Sequence, residues 1–139
     1  MVVKGRILAL DYGTRRIGVA MSDPTCVFAQ GLPTISYRKV QGAISDIMRS
    51  VQTYSIQKII VGMPLNLKGQ KTQTTEAVEN FIVKIEKRLN IPIEPWDERL
   101  TTVAAHRAMI EMGKSPSRNK EKVDELAAVL LLQNYLDTL

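Results

Sequence analysis

The sequence predicts one α/β domain, a layered fold in which helices cover a mixed sheet. Three observations predict it. Residues 7–23, ILALDYGTRRIGVAMSD, read as two short strands joined by a glycine-containing turn. Apolar residues at helical spacing then alternate with two further strand-like runs. The length, 139 residues, suits a single domain and buries a core without staples.

Each element follows from its residues. Ile7 to Leu10 is a short apolar run, as expected of a central strand buried on both faces. Ile17, Val19 and Met21 alternate with smaller residues and predict the returning strand. Val27 to Ile35 predicts a third strand, antiparallel to the second, which Gly31 and Pro33 make irregular or peripheral. Val40, Ala43, Ile44, Ile47, Met48 and Val51 mark one amphipathic helix. Ile56 to Val61 is the next buried strand, stopping at Gly62-Met63-Pro64. After a polar loop, Leu65 to Gln73, a second helix is marked by Ala77, Val78, Phe81, Ile82, Ile85 and Leu89. Ile91 to Trp96 is the last strand, limited by Pro92 and Pro95, and it runs into Asp97-Glu98-Arg99. A third helix is expected from Thr101 to Met112, with a threonine as its N-cap. GKSPSRNK, 113–120, is small, polar and basic, and predicts a mobile loop without an apolar anchor. The final helix runs from Glu121 towards the C-terminus. The later strands are expected to join through right-handed crossovers.

Composition narrows the function classes. Hydrophobic residues make up 45% of the chain, and no apolar run approaches a bilayer's thickness, so no membrane partner is expected. The opening MVVKGRILAL lacks a small-residue cleavage site and reads as a strand rather than a leader. One cysteine, Cys26, permits no internal disulfide and fits a reducing cytoplasm; it reads as a strand filler. Nineteen Lys and Arg against 14 Asp and Glu give a net charge of +5, which suits a polyanionic partner but is common to many proteins.

Acidic residues from separate parts of the chain carry the chemical signal. Asp11 ends the first strand, Asp97 and Glu98 end the last, and Asp124 opens the final helix. A carboxylate at the mouth of a buried strand needs a cation beside it. Ala127, Ala128, Leu131, Leu132, Tyr135 and Leu139 follow Asp124 at helical spacing, which keeps it on the stripe facing the sheet. Carboxylates gathered there repel one another, and divalent cations, Mg²⁺ or Mn²⁺ for oxygen-rich sites, relieve the repulsion. Two such ions about 4 Å apart activate water and stabilise the leaving oxygen in phosphodiester cleavage. Blander roles exist for each residue: Asp124 complements the helix dipole, Asp97 caps a helix, Glu98 pairs with Arg99, and Asp11 serves a turn.

Basic residues flank these positions. Arg15 and Arg16 lie in the first turn, and Lys114, Arg118, Lys120 and Lys122 surround the loop before Asp124. They would hold phosphates on either side of a cleaved bond, or simply keep a loop solvated. His106, the single histidine, has no Cys or His companion and reads as a surface or packing residue.

Four segments together resemble the YqgF/RuvX family, Holliday junction resolvase-like members of the ribonuclease H superfamily described as nucleases of pre-16S ribosomal RNA. They are Asp11-Tyr12-Gly13 through Gly18-Val19-Ala20; Val61-Gly62-Met63-Pro64 with Gly69; Asp97-Glu98-Arg99 with Thr102; and Val123-Asp124 with Ala127-Ala128 and Gln133. They span nearly the whole chain in one order. The resemblance implies a ribonuclease H-like fold over 1–139, a five-stranded mixed sheet flanked by helices. It also implies a cytoplasmic, divalent-metal-dependent endonuclease that matures the 5′ end of precursor 16S ribosomal RNA. The implied catalytic and metal-binding residues are Asp11, Glu98 and Asp124, with Asp97 competing for the place of Glu98. Arg15, Arg16, Arg99, Lys114, Arg118, Lys120 and Lys122 are the nucleic-acid-binding candidates.

Three other readings share these residues. The substrate of the same chemistry is branched DNA, for which a two-fold homodimer would suit symmetric cleavage. Asp11-Tyr12-Gly13-Thr14 with its glycine hairpin also resembles the phosphate loop of sugar kinases and actin-like ATPases, although those enclose nucleotide between two such domains. The last is a non-catalytic nucleic-acid-binding factor whose acidic cluster is structural.

Overall fold

The computed structural model describes residues 5–65, 68–98 and 101–139, the side chains of 101–104, 106 and 116 excepted. Strands β1 (Arg6–Tyr12), β2 (Arg16–Ser22) and β3 (Ala29–Ser36) form an antiparallel meander. Strand β4 (Ile56–Met63) pairs parallel with β1, and β5 (Ile93–Asp97) pairs parallel with β4. The sheet order is β3-β2-β1-β4-β5. Helix α1 (Val40–Thr53) links β3 to β4, and α2 (Gln73–Glu86) links β4 to β5; α3 (Thr101–Glu111) and α4 (Lys120–Leu136) complete the chain. The expected five-stranded mixed sheet flanked by helices is what forms. Among the described residues no helix is long and apolar enough to cross a membrane.

The two sheet faces differ in residue size, and that difference positions the site. Strand side chains alternate between faces with period two. One face presents Leu8, Leu10, Ile17, Val19, Met21, Ile59 and Val61, which pack with Ile44 and Ile47 of α1 and Val78, Phe81 and Ile85 of α2. The opposite face presents Ile7, Ala9, Ala20 and Ile60 to Ala128, Leu131, Leu132 and Tyr135 of α4. Small residues there let α4 lie close to the strands. Helix α3 packs on α4 through Ala105 and Met109 against Val123 and Ala127. Asp11 follows Ile7 and Ala9 in the alternation, so it falls on the α4 face; its neighbour Tyr12 stacks on Phe81 across the other, ring centroids 4.4 Å apart.

Several boundaries depart from expectation for local reasons. Strand β4 continues through Gly62 and Met63, because both hold register with Trp96 and Asp97 of β5. Helix α2 ends at Glu86, which leaves Leu89 in the following turn. The expected mobile loop closes into a 3₁₀ turn, Pro116–Arg118. Polar bonds anchor it in place of apolar contacts: the Asn119 side chain donates to the Ser115 carbonyl at 2.7 Å, and the Lys114 N–H to Met109 at 2.9 Å. Leu139 lies beyond α4 and is exposed rather than on its buried stripe. Cys26 is no strand filler. It is buried in the β2–β3 turn with φ +61. The Asp23 carboxylate organises that turn, accepting from the N–H groups of Phe28, Val27 and Thr25.

Gly18 fixes how near α4 can come. It pairs with Asp11 across the β1–β2 ladder. A Cβ placed on it would overlap the backbone carbonyl of Asp124. Backbone cannot swing aside as a flexible side chain can, so a methyl group here must push the start of α4 away from the sheet. Gly42, inside α1, has nothing within 4 Å of a built Cβ. We expect Gly18→Ala to destabilise the fold by about 1–3 kcal/mol. Gly42→Ala should stabilise it by about 0.5–1 kcal/mol, because alanine is the better helix former. Chemical denaturation of both variants measures the pair; equal effects would contradict the close approach.

Candidate active site

Strand alternation brings together carboxylates that the sequence keeps far apart. Glu98 lies just past β5, where its N–H bonds to the Met63 carbonyl at 3.3 Å and so extends the ladder by one residue. Period two then turns Glu98 to the face of Glu94 and Trp96, which is the α4 face, and turns Asp97 to the other. Gly62 makes the room, since a Cβ on it would collide with the Glu98 carboxylate. Two glycines, Gly18 on β2 and Gly62 on β4, thus border Asp11 on either side. Through one gap comes the start of α4, and through the other the side chain of Glu98.

Asp11 and Glu98 share a hydrogen bond between their carboxyl groups. Such a bond requires a proton on one of them. Glu98 is pushed up to about 9, first by removal from water, then by the Asp11 charge, the hydrogen bond itself and the Asp97 charge. Asp11 is also raised, chiefly by burial and further by the charge of Asp124, while its bond to Glu98 works the other way. The pair holds one proton between two oxygens that would otherwise repel. Asp97 is exposed.

Asp124, in the first turns of α4, is part of the same electrostatic group but has a partner of its own. Arg16 Nε donates to Asp124 Oδ2 at 2.7 Å, across 108 residues of sequence. Both side chains are about a quarter to a third exposed, so the bond is a lateral clasp at the rim. The sequence reading placed Arg16 among the phosphate-binding residues and missed this clasp. No local spacing could reveal it, because the two residues meet only through the packing of α4 on β2.

The remaining candidates divide. Arg16, Arg118, Lys120 and Lys122 line one open cavity of about 610 Å³ beside the start of α4, together with Ser117, Asn119 and Glu121. Lys122 also pairs with Glu125 at 3.6 Å. Arg15 is exposed on the β1–β2 turn and lines a neighbouring cavity. Lys114 is exposed at the end of α3 and is not part of either lining. Arg99 and the side chain of His106 lie outside the described residues. Trp96 packs its ring on Tyr135, centroids 5.0 Å apart, as wall rather than platform.

The donor set fits a hard divalent cation. It is all oxygen, and burial together with mutual repulsion raises both Asp11 and Glu98, a strain that a bound cation would relieve. Among the described residues no three acidic, His or Cys side chains are gathered tightly enough to form a ready metal cluster. Two carboxyl groups are assembled, and the third is held by Arg16.

The shared proton makes stability depend on pH. Glu98 titrates near 9 in the fold against an ordinary value of 4.5. The fold therefore favours the protonated form, and that stabilisation is complete below about 4.5 and lost as pH rises through about 9. In metal-free buffer, the thermal midpoint should fall over this window. Glu98→Gln, which keeps a hydrogen bond without titrating, should flatten the fall; unchanged slopes would argue against a shared proton.

Comparisons with known proteins place the family and the fold. The family model RuvX, described as Holliday junction resolvase, matches residues 5–138. A protein of Ruminiclostridium cellulolyticum named "Putative pre-16S rRNA nuclease" is 47% identical over 133 residues, covering 95% of this chain and 94% of that one. A protein of the same name from Clostridium novyi is 43% identical over 134 residues, covering 96% and 99%. Among solved structures, RuvC of T. thermophilus in complex with a Holliday junction substrate superposes with a TM-score of 0.59 at 10% identity, covering 96% and 94%. A fowlpox virus resolvase bound to Holliday junction DNA gives 0.58 at 13% identity, covering 96% and 97%. At such identities these two likenesses concern the fold alone.

Proposed function

We propose a function from one premise: the chain belongs to the RuvX family, described as Holliday junction resolvases. It is a nuclease that hydrolyses phosphodiester bonds, and its substrate is the precursor of 16S ribosomal RNA, cleaved in the maturation of the 5′ end. The observation that carries this reading is the Asp11–Glu98 carboxyl pair on the sheet, with Asp124 beside it and a basic groove leading away. The names of the 43–47% identical relatives favour RNA as substrate. A cytoplasmic location fits such a substrate.

Asp11, Glu98 and Asp124 would hold Mg²⁺ or Mn²⁺, which supplies charge neutralisation at the cleaved phosphate and lowers the pKa of water when bound. The chain's own residues do the rest. The sheet face buries Asp11 and Glu98, so their charges act in a medium less screened than water. Without a cation the pair keeps one proton, which stops it from repelling itself apart. Arg16 orients Asp124 and keeps its charge compensated. Arg118, Lys120 and Lys122, with Arg16, hold the phosphates that flank the cleaved bond.

The family description favours one second reading, cleavage of a four-way DNA junction by a two-fold dimer. Both readings share the same site, so one assay compares them. Asp11→Asn should lower Mg²⁺- or Mn²⁺-dependent cleavage of precursor ribosomal RNA by about a hundredfold or more, with the circular-dichroism spectrum unchanged. Full residual activity would defeat the metal-nuclease mechanism. Offering a DNA junction side by side decides the substrate: preferential cleavage of the junction, by a dimer, would replace RNA with DNA.

A further inference from the structure

A second groove adjoins the first, and the sequence reading did not anticipate it. Arg15, Arg16, Ser36, Tyr37, Arg38 and Glu121 line a cavity of about 480 Å³ at the outer end of β2 and β3. It shares Arg16 and Glu121 with the groove of Arg118, Lys120 and Lys122, so the two are continuous across those residues. Arg38 belongs to no motif and was no candidate.

Three features set this groove apart from a solvated loop. First, Arg15 and Arg38 have no ion pair or side-chain hydrogen bond among the described residues, whereas Arg49, Lys58 and Lys71 each have a carboxylate partner. Arg15 and Arg38 border one concavity with Arg16, whose charge Asp124 compensates, and with one carboxylate, Glu121, so the lining keeps a positive excess that favours an anion. Second, the groove is held in shape. Tyr37 donates its hydroxyl to the Gly13 carbonyl and its N–H to the Arg15 carbonyl at 3.0 Å, which ties the end of β3 to the turn that carries the arginines. Thr34 donates to the Glu121 carbonyl at 2.7 Å, which ties β3 to the start of α4. Third, Arg16 connects the groove to the carboxylates. It uses Nε on Asp124, and its two terminal nitrogens have no partner among the described residues.

We propose that the Arg15–Tyr37–Arg38 groove is a second polynucleotide subsite, which takes the sugar-phosphate backbone of the substrate where it leaves the site across Arg16. This rests on the nuclease reading above and adds to it the path of the strand. Cations on the β1–β2 turn and after β3 grip one side of the substrate, and those around the start of α4 grip the other. Arg16 stands between the two arms, so a strand that fills the second groove also meets the residue that clasps Asp124.

Binding measured without cleavage tests the groove. In the full-length Asp11→Asn chain, two labelled single-stranded RNAs of about 6 and about 20 nucleotides are titrated over a range of salt. Arg15→Gln with Arg38→Gln should weaken the long RNA about tenfold. It should also reduce its salt slope by about 1.4, which is two phosphate contacts on a single strand. The short RNA should bind as before. Lys84→Gln with Lys87→Gln, an equal change of charge in the last turn of α2 and at its C-cap, on the opposite sheet face, should alter neither. The groove is refuted if the long RNA is unaffected, or if the α2 control lowers the slope as much. It is refuted too if the short RNA weakens equally. Failure of the nuclease reading shows separately, as wild-type protein that cleaves neither RNA nor DNA whatever the slopes.

Discussion

The arrangement depends on one constraint: carboxylates on a buried sheet face must be brought close without being left as bare charges. Asp11 is the centre of that problem. It stands near the end of a strand in which Ile7, Leu8, Ala9 and Leu10 are buried, where an unpaired anion is costly. The surrounding structure answers with glycine at both neighbouring strands. Gly18 admits the backbone of α4, and Gly62 admits the Glu98 carboxyl group. A side chain at either position would separate the acids and dissolve the site.

Neutralisation takes two forms. At Asp11 and Glu98 it is a shared proton, which burial makes possible by raising Glu98 far into the alkaline range. At Asp124 it is Arg16, bound laterally from the start of β2. These forms respond differently to a divalent cation. A proton leaves when a cation takes its place, and an arginine must be shared or displaced. The clasp therefore joins the acidic centre to the basic groove, since the same guanidinium belongs to both. A positively charged chain with a net +5 is only a weak indicator of nucleic acid, but cations arranged around this centre form a directed track.

Much of the fold was legible because it is written in local periods. A continuous apolar run marked β1, period two marked β2, and helical spacing marked α1, α2 and α4. Errors fell where polar bonds or register, rather than apolar pattern, decide the outcome. Gly62 and Met63 read as a stop, yet the ladder to Trp96 and Asp97 carries β4 through them. Residues 113–120 read as a loop without an anchor, yet hydrogen bonds from Asn119 and Lys114 fold it. The acids themselves stood out, as costly residues at the ends of apolar segments. Their mutual geometry did not.

By itself, the sequence determined the class of the fold, the strand that ends in Asp11, and the stripe that carries Asp124 towards the sheet. Each follows from interactions a few residues long, which a linear pattern records. Only the tertiary structure decided that Glu98 rather than Asp97 faces Asp11, that Arg16 holds Asp124, and that Arg38 borders the same groove. The reason is physical. Which face a residue takes depends on strand register, and register is set by pairing with a distant strand. Two residues 108 positions apart meet only when a helix closes on a sheet, and here glycine determines how close it comes.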